Sequence, residues 1–313
     1  MTTRIVLLGV LAGALGGLIG WLPGELVALI RPVEPVVRYV SVALYFTLLS
    51  ASIGATLGFA SGLVEGSRRR ARHAAMAGAL FGVLGGLIGS LPGEWAFETL
   101  RGAGLGLVGR ALGWALAGMF IGLAQGVRTH SRARMARGLL GGFIGGYLGG
   151  GAFELISIAF GQGVFSRLAA DLILGAMLGG FIFAVEIWLS NAWLQVVSSG
   201  PQEGSRFDLG KSRLTIGSGE RDDVLLTAAG VAPAHAVIER RNTGYWLQSD
   251  QGQALVDGRP AAHDQRLNHK VRVQLGSSVL LYQERQPVCP HCGQENLETA
   301  ELCKRCGSPL KIY

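Results

Sequence analysis

Cys289, Cys292, Cys303 and Cys306 are the only cysteines in the chain, and they form two C-x2-C pairs with ten residues between them. Thiolate pairs at this spacing turn back onto one ion and close a tetrahedral site, and four sulfur ligands leave no open position for a substrate. The expected chemistry of residues 289–310 is therefore the binding of one structural zinc ion. Gly293 and Gly307 follow the two pairs, where backbone amides must turn toward the sulfurs. So short a segment has little core of its own, so metal binding would supply its folding energy. Two disulfides are the competing use of four cysteines, and a cytoplasmic location, where thiols stay reduced, disfavours them. His291, between two ligands, is expected to face solvent.

A second set is carboxylate. Glu25, Glu94 and Glu154 are each preceded by glycines at the same five offsets: Gly9, Gly13, Gly16, Gly17 and Gly20, then Gly78, Gly82, Gly85, Gly86 and Gly89, then Gly138, Gly142, Gly145, Gly146 and Gly149. An ionisable residue within a membrane span is a candidate for binding a cation or lining a pathway. At about 1.5 Å per residue, Glu25 lies roughly 30 Å along a helix from Arg4, near an interface and away from the bilayer centre. Glu25 and Glu94 each follow Pro-Gly. The milder expectation is that each opens a resuming helix, whose free amides and dipole favour a carboxylate. Asp171 and Glu186, near the ends of the last apolar run, are expected at the interface.

The elements that position these groups follow from composition. Residues 1–192 hold no lysine and 37 of the 49 glycines, whereas the remainder has the make-up of soluble protein. Apolar runs at 5–24, 39–64, 73–93, 111–127, 138–153 and 172–185 predict six crossings of roughly 20 residues each. They form three glycine-zipper hairpin repeats in a membrane domain spanning 1–190, each with a flat glycine face for close approach of a second backbone. Arg4, the cluster Arg68, Arg69, Arg70 and Arg72, and the cluster Arg128, Arg132, Arg134 and Arg137 share one side. By the positive-inside rule both termini are cytoplasmic in an inner or plasma membrane. A cleaved signal is the competing reading of the first run, but the same pattern recurs at 78–94. Of the net charge of +7, +6 belongs to residues 1–192. The excess thus serves topology and contact with anionic lipid, and no nucleic-acid footprint is expected on the soluble part.

Residues 193–285 predict an all-β sandwich. WLQVV, RFDL, SRLTIG, DVLL, HAVIER, YWLQ, ALVDG, VRVQLG and SVLLY are short β-branched or aromatic runs separated by Gly, Pro, Asp and Asn. Phe207-Asp208-Leu209, Leu214-Thr215-Ile216-Gly217, Asp222-Asp223-Val224, His235-Ala236-Val237-Ile238, Val256-Asp257-Gly258 and Val273-Gln274-Leu275-Gly276 resemble a forkhead-associated (FHA) domain. The resemblance implies an eleven-stranded sandwich whose apical loops bind phosphothreonine peptides. It also implies that the phosphate ligands are an arginine where this chain has Ser218 and a serine where it has Ala232. Pro233 and the Gly252-Gln253-Ala254 stretch depart from the pattern as well, and only His235, a loop brace, is retained. Phosphate recognition calls for Arg and several donors, so phosphothreonine binding is expected to be lost. Arg221, Arg240 and Lys211 are the candidate substitutes. The strings CPHCGQEN and ELCKRCG resemble short zinc ribbons of bacterial signalling and membrane proteins.

No Ser-His-Asp, Cys-His, Walker or dinucleotide-binding constellation occurs, so no enzyme activity is expected. The expected function is a membrane-tethered cytoplasmic interaction or signalling adaptor. Its sandwich would meet an unidentified cytoplasmic protein and its bundle would meet lipid or a second copy. The alternative is a channel or transporter regulated by the cytoplasmic domains.

Overall fold

The computed structural model describes residues 2–28, 34–65, 68–161, 163–241, 244–249, 253–286, 289, 291–294, 296 and 300–310. Gly252, which entered the reading above, lies outside them. The chain divides into two compact units, Met1–Leu189 and Ser190–Tyr313.

The first unit contains α1 (Thr2–Ala28), α2 (Pro35–Val64), α3 (Arg68–Arg101), α4 (Gly106–Arg128), α5 (Arg132–Phe160) and α6 (Val164–Trp188). All six are long and apolar enough to cross a membrane. Each packs on its neighbours in sequence, and α6 returns to α1 and closes a ring. Side chains of α2, α4 and α6 meet in one core, with Leu49, Ile53, Leu57, Trp114, Leu174, Leu178 and Ile182 fully buried.

The glycines of α1, α3 and α5 explain the ring. A methyl group at Gly78, Gly82 or Gly86 would fall on the α2 backbone at Gly54, Ser50 and Thr47. At Gly138, Gly142 or Gly146 it would strike α4 at Gly122, Gly118 and Trp114, and at Gly9, Gly13 or Gly17 it would strike α6 at Gly179, Gly175 and Asp171. A second ridge faces the other neighbour: Gly16 and Gly20 meet α2, Gly85 and Gly89 meet α4, and Gly145 and Gly149 meet α6. The sequence pattern suggested one flat face per helix. The structure has two, because glycines spaced i, i+4, i+8 and those offset by one residue lie about 100° apart on a helix of 3.6 residues per turn. Lipid supplies no hydrophobic drive between helices, so this close backbone packing must hold the ring.

Neither Pro-Gly interrupts its helix. α1 runs through Pro23 to Ala28, and α3 runs through Pro92 to Arg101. No helix therefore restarts ahead of Glu25 or Glu94, which corrects the capping reading. Proline lacks an N–H and so removes one backbone hydrogen bond, a loss that neighbouring helices and waters make tolerable inside a membrane bundle.

The second unit is a sandwich of two sheets. β1 (Ala192–Val196), β2 (Arg206–Asp208), β7 (Ala254–Val256), β8 (Arg259–Pro260), β10 (Arg272–Leu275) and β11 (Ser278–Glu284) form one, in the order β2-β1-β11-β10-β7-β8. β3 (Arg213–Gly217), β4 (Val224–Leu225), β5 (Ala236–Arg241), β6 (Gly244–Ser249) and β9 (Asp264–Arg266) form the other, ordered β4-β3-β5-β6-β9. Alternate residues point inward, as in β6, where Tyr245 and Leu247 are buried, the period expected of strands with one wet face. Of the eleven strands among the described residues, nine coincide with the apolar runs of the sequence. β8 and β9 do not, because Arg-Pro and Asp-Gln-Arg carry no β signal and pair only as short edge strands. Between β7 and β8, Asp257 (φ 48°) and Gly258 (φ 79°) make the two-residue turn that both positive angles require. Only Leu189, Ser190 and Asn191 separate α6 from β1.

Candidate functional site

The four cysteine sulfurs lie within 4.8 Å of one another. Cys289 and Cys306 sulfurs are 3.6 Å apart, as are those of Cys292 and Cys303. A tetrahedron with Zn–S bonds of about 2.3 Å has edges of about 3.8 Å, whereas a disulfide would need about 2.05 Å. The donor set fits zinc. Both knuckles are built alike: Gly293 N–H donates to Cys289 O at 2.9 Å and Gly307 N–H to Cys303 O at 2.9 Å. The two glycines sit at φ 71° and 70°, the left-handed region that this tight turn requires. Buried Asn296 ties the knuckles together. Its Nδ2 donates to Gln294 O at 2.7 Å and its Oδ1 accepts from Lys304 N–H at 2.9 Å. Burial opposes ionisation of Cys303, but the Arg305 and Cys306 amides outweigh it and bring this thiol to about 6. The Gln294 amide favours the Cys292 thiolate, yet burial and the three neighbouring sulfurs push that thiol to about 12. A divalent cation removes this conflict by neutralising several thiolates at once.

At the tip of the sandwich, Ser218 and Ala232 are exposed and His235 is buried. The Ser218 amide donates to Ala232 O at 3.0 Å. His235 Nδ1 accepts from the Ala232 amide at 2.9 Å, which leaves Nε2 to donate to Gln253 O at 2.8 Å. Asp222, buried beneath the loops, accepts through Oδ2 from the Gly219 amide at 2.7 Å and the Ala234 amide at 3.1 Å. The substitute cations do not gather here. Lys211 is paired with Asp223. Arg240 follows His235 by five residues along β5, about 16 Å at the rise of a strand. Arg221 is exposed near the tip.

In the bundle, the repeated glutamates form ion pairs between helices. Glu25 on α1 pairs with Arg167 on α6. Glu94 on α3 accepts from Arg110 on α4 at 3.0 Å, and Arg110 Nε lies 3.6 Å from Glu154 on α5. Arg38 on α2 pairs with Glu98 on α3, which also accepts from Tyr39 at 3.0 Å. At the opposite end Glu65 accepts from Arg128 at 2.6 Å and Arg134 at 3.1 Å, and Arg134 meets Glu186 at 2.8 Å. Burial raises the Glu65 carboxyl, but the two guanidiniums outweigh it and hold it below the ordinary carboxylate range. Asp171 is fully buried, with Tyr45 Oη 2.8 Å and 2.9 Å from its two oxygens. By glycine register, Asp171 corresponds to Phe46 and Trp114, whose rings stack at 4.0 Å. Where two repeats put aromatic rings on the core, the third puts a carboxylate.

Arg110 is the cation shared by buried Glu94 and half-buried Glu154, so Arg110→Met should destabilise the bundle by about 3–5 kcal/mol, the cost of stranding buried charge. Thermal denaturation in detergent measures this, and adding Glu94→Gln with Glu154→Gln should recover part of the loss. An unchanged midpoint in Arg110→Met would mean that the pairs are solvated.

Residues 196–286 match the family described as the inner membrane component of the type III secretion system (T3SS), cytoplasmic domain. Residues 288–310 match the family described as a zinc-ribbon domain. Among solved structures, the FHA domain of CT664 protein from Chlamydia trachomatis is 24% identical, covering 31% of this chain and 99% of its own, with a TM-score of 0.28. The cytoplasmic domain of the T3SS sorting platform protein PscD from P. aeruginosa is 23% identical, covering 37% of this chain and 98% of its own, with a TM-score of 0.28. The FHA domain of an Arabidopsis thaliana hypothetical protein is 22% identical, covering 30% and 86%, with a TM-score of 0.28. No curated protein matches the chain.

The zinc ribbon holds one structural zinc ion on Cys289, Cys292, Cys303 and Cys306. Asn296, Asp222, Tyr45 and Arg110 do work in these sites that sequence reasoning missed. Asn296 stood inside the ribbon string, but the other three act on partners 12 to 126 residues away, Asp222 alone having a local one as well in Gly219.

Proposed function

We propose that the chain is a membrane-tethered adaptor that holds an FHA-like sandwich and a zinc ribbon at the cytoplasmic face and binds a partner protein without reading threonine phosphorylation. One observation carries the second half: the loop positions that would ligate phosphate are Ser218 and Ala232, bonded to each other through their backbones, with no arginine at either position. Lys211 is neutralised by Asp223 and Arg240 is remote along its strand. An inner-membrane component with a cytoplasmic domain, as the family matching residues 196–286 is described, fits an apolar bundle joined to the sandwich by so short a connection. Both termini face the cytoplasm in this reading.

The channel or transporter reading is less well supported, because Leu49, Ile53, Trp114, Leu174 and Leu178 fill the core shared by α2, α4 and α6. Liposome flux above that of empty vesicles would revive it. No reaction is proposed: four thiolates close the metal site to substrate.

Two measurements test the adaptor. Reporter fusions after Arg72 and Arg137 should report cytoplasm and fusions near Gly104 the far side. Residues 190–313 have their own core, and a phosphothreonine peptide array should bind this unit no better than its unphosphorylated twin. Phosphate-dependent affinity near micromolar, about −8 kcal/mol, would refute the reading and point to Arg221.

A further inference from the structure

We infer that Asp222 is a resident anion: its carboxylate fills an amide cradle between two loops of the sandwich that would otherwise accept an external anion such as a phosphate group. The inference rests on the phosphate-independent reading above and gives it a cause.

The Gly219 amide and the Ala234 amide belong to different loops, one before β4 and one after it, and both point at Asp222 Oδ2, at 2.7 Å and 3.1 Å. Converging main-chain amides make an anion-binding concavity, and an ionised acceptor makes the stronger bond. The backbone is shaped to this end. Ala234 sits at φ 47°, a left-handed conformation rare for a residue with a side chain, in the loop whose amide meets the carboxylate. Gly217 leaves room, because a Cβ there would fall on Asp222 Oδ2. Asp222 is only 7% exposed, so it serves the loops and not solvent. The neighbouring amides are engaged too, Ser218 on Ala232 O and Ala232 on His235 Nδ1.

An incoming phosphate would therefore meet a fixed negative charge and amides already spoken for. The same carboxylate cross-links the two loops at all times, as a bound phosphate would only when present. The tip is thus held in one arrangement, ready for a partner whose docking does not wait on a kinase.

Amide hydrogen exchange of the full chain in detergent tests this, with inorganic phosphate and a phosphothreonine peptide as probes. In the unaltered protein the Gly219 and Ala234 amides should be protected and indifferent to both probes. Asp222→Ala should speed their exchange at least about tenfold, the sign of a lost local bond, and added phosphate should restore protection. Asp222→Asn keeps an acceptor oxygen and should hold most of the protection. Gly217→Ala presses on the same carboxylate and should loosen the same two amides, which covers the case of a poorly folded Asp222→Ala. Unchanged exchange in Asp222→Ala and Gly217→Ala, or Asp222→Ala amides that ignore phosphate, would overturn the resident anion alone. Phosphothreonine binding by the unaltered protein would instead overturn the adaptor reading beneath it.

Discussion

Leucine at Gly146 should cost the membrane bundle more than about 3 kcal/mol, the upper end of overpacking penalties, whereas leucine at Gly102 should be nearly neutral. A Cβ at Gly146 falls on the Trp114 carbonyl and within 2.9 Å of Ala115 Cα. Both are backbone of a neighbouring helix, so no rotamer change can relieve the clash and α5 must move off α4. Gly86→Leu and Gly17→Leu should behave alike, because the same register meets Thr47 on α2 and Asp171 on α6. Gly102 has only Thr99 O nearby, at 3.8 Å. Gly104 is not a fair control: its φ of 76° would strain any side chain in open space. Thermal melting and size-exclusion profiles in detergent read the effect. Equal stability of Gly146→Leu and Gly102→Leu would show that the helices do not meet through these glycines.

Removing zinc should unfold residues 289–310 and leave the sandwich standing. Apparent binding energies for four-thiolate sites are about 10–16 kcal/mol near neutral pH, and among the described residues the ribbon's only β pairing is the single bridge between Leu302 and Pro309. The sandwich has its own apolar core, from Leu194 and Ile216 to Tyr245 and Tyr282, so its strand signal should survive chelation. Cys303→Ser should reproduce the local loss without affecting membrane insertion. Asn296→Ala should lower metal affinity about 10–100-fold, the usual cost of losing an outer-shell brace. Metal analysis of the purified, reduced protein should return one zinc per chain. Its absence, or a Cys289–Cys306 disulfide in fresh cells, would refute both the metal site and the cytoplasmic placement.

What was legible in the sequence was whatever repeats or alternates locally. The six helices follow from apolar runs long enough to span, the sandwich strands from period-two alternation, and the ribbon from two C-x2-C pairs. Each signal lies within a few residues of itself, where backbone geometry alone links spacing to direction. The misreadings arose where a local cue met a distant partner. Pro-Gly marks a turn in water, but here α1 and α3 continue through it. Nor did the position of Asp171 near the end of an apolar run reveal its buried partner, Tyr45, 126 residues earlier.

The sequence by itself determined that three alike hairpins would pack through glycine, that four thiolates would hold one metal, and that Ser218 and Ala232 stand where the FHA resemblance implies phosphate ligands. Tertiary structure alone decided which helix receives each glycine ridge, that α6 closes on α1, that the glutamates pair with arginines of neighbouring helices, and that Asp222 occupies the loop amides. The reason is physical. Near-identical grooves carry no label for their partner, and a charge or amide reveals its counterpart only when the chain has brought the two together in a medium too dry to leave either alone.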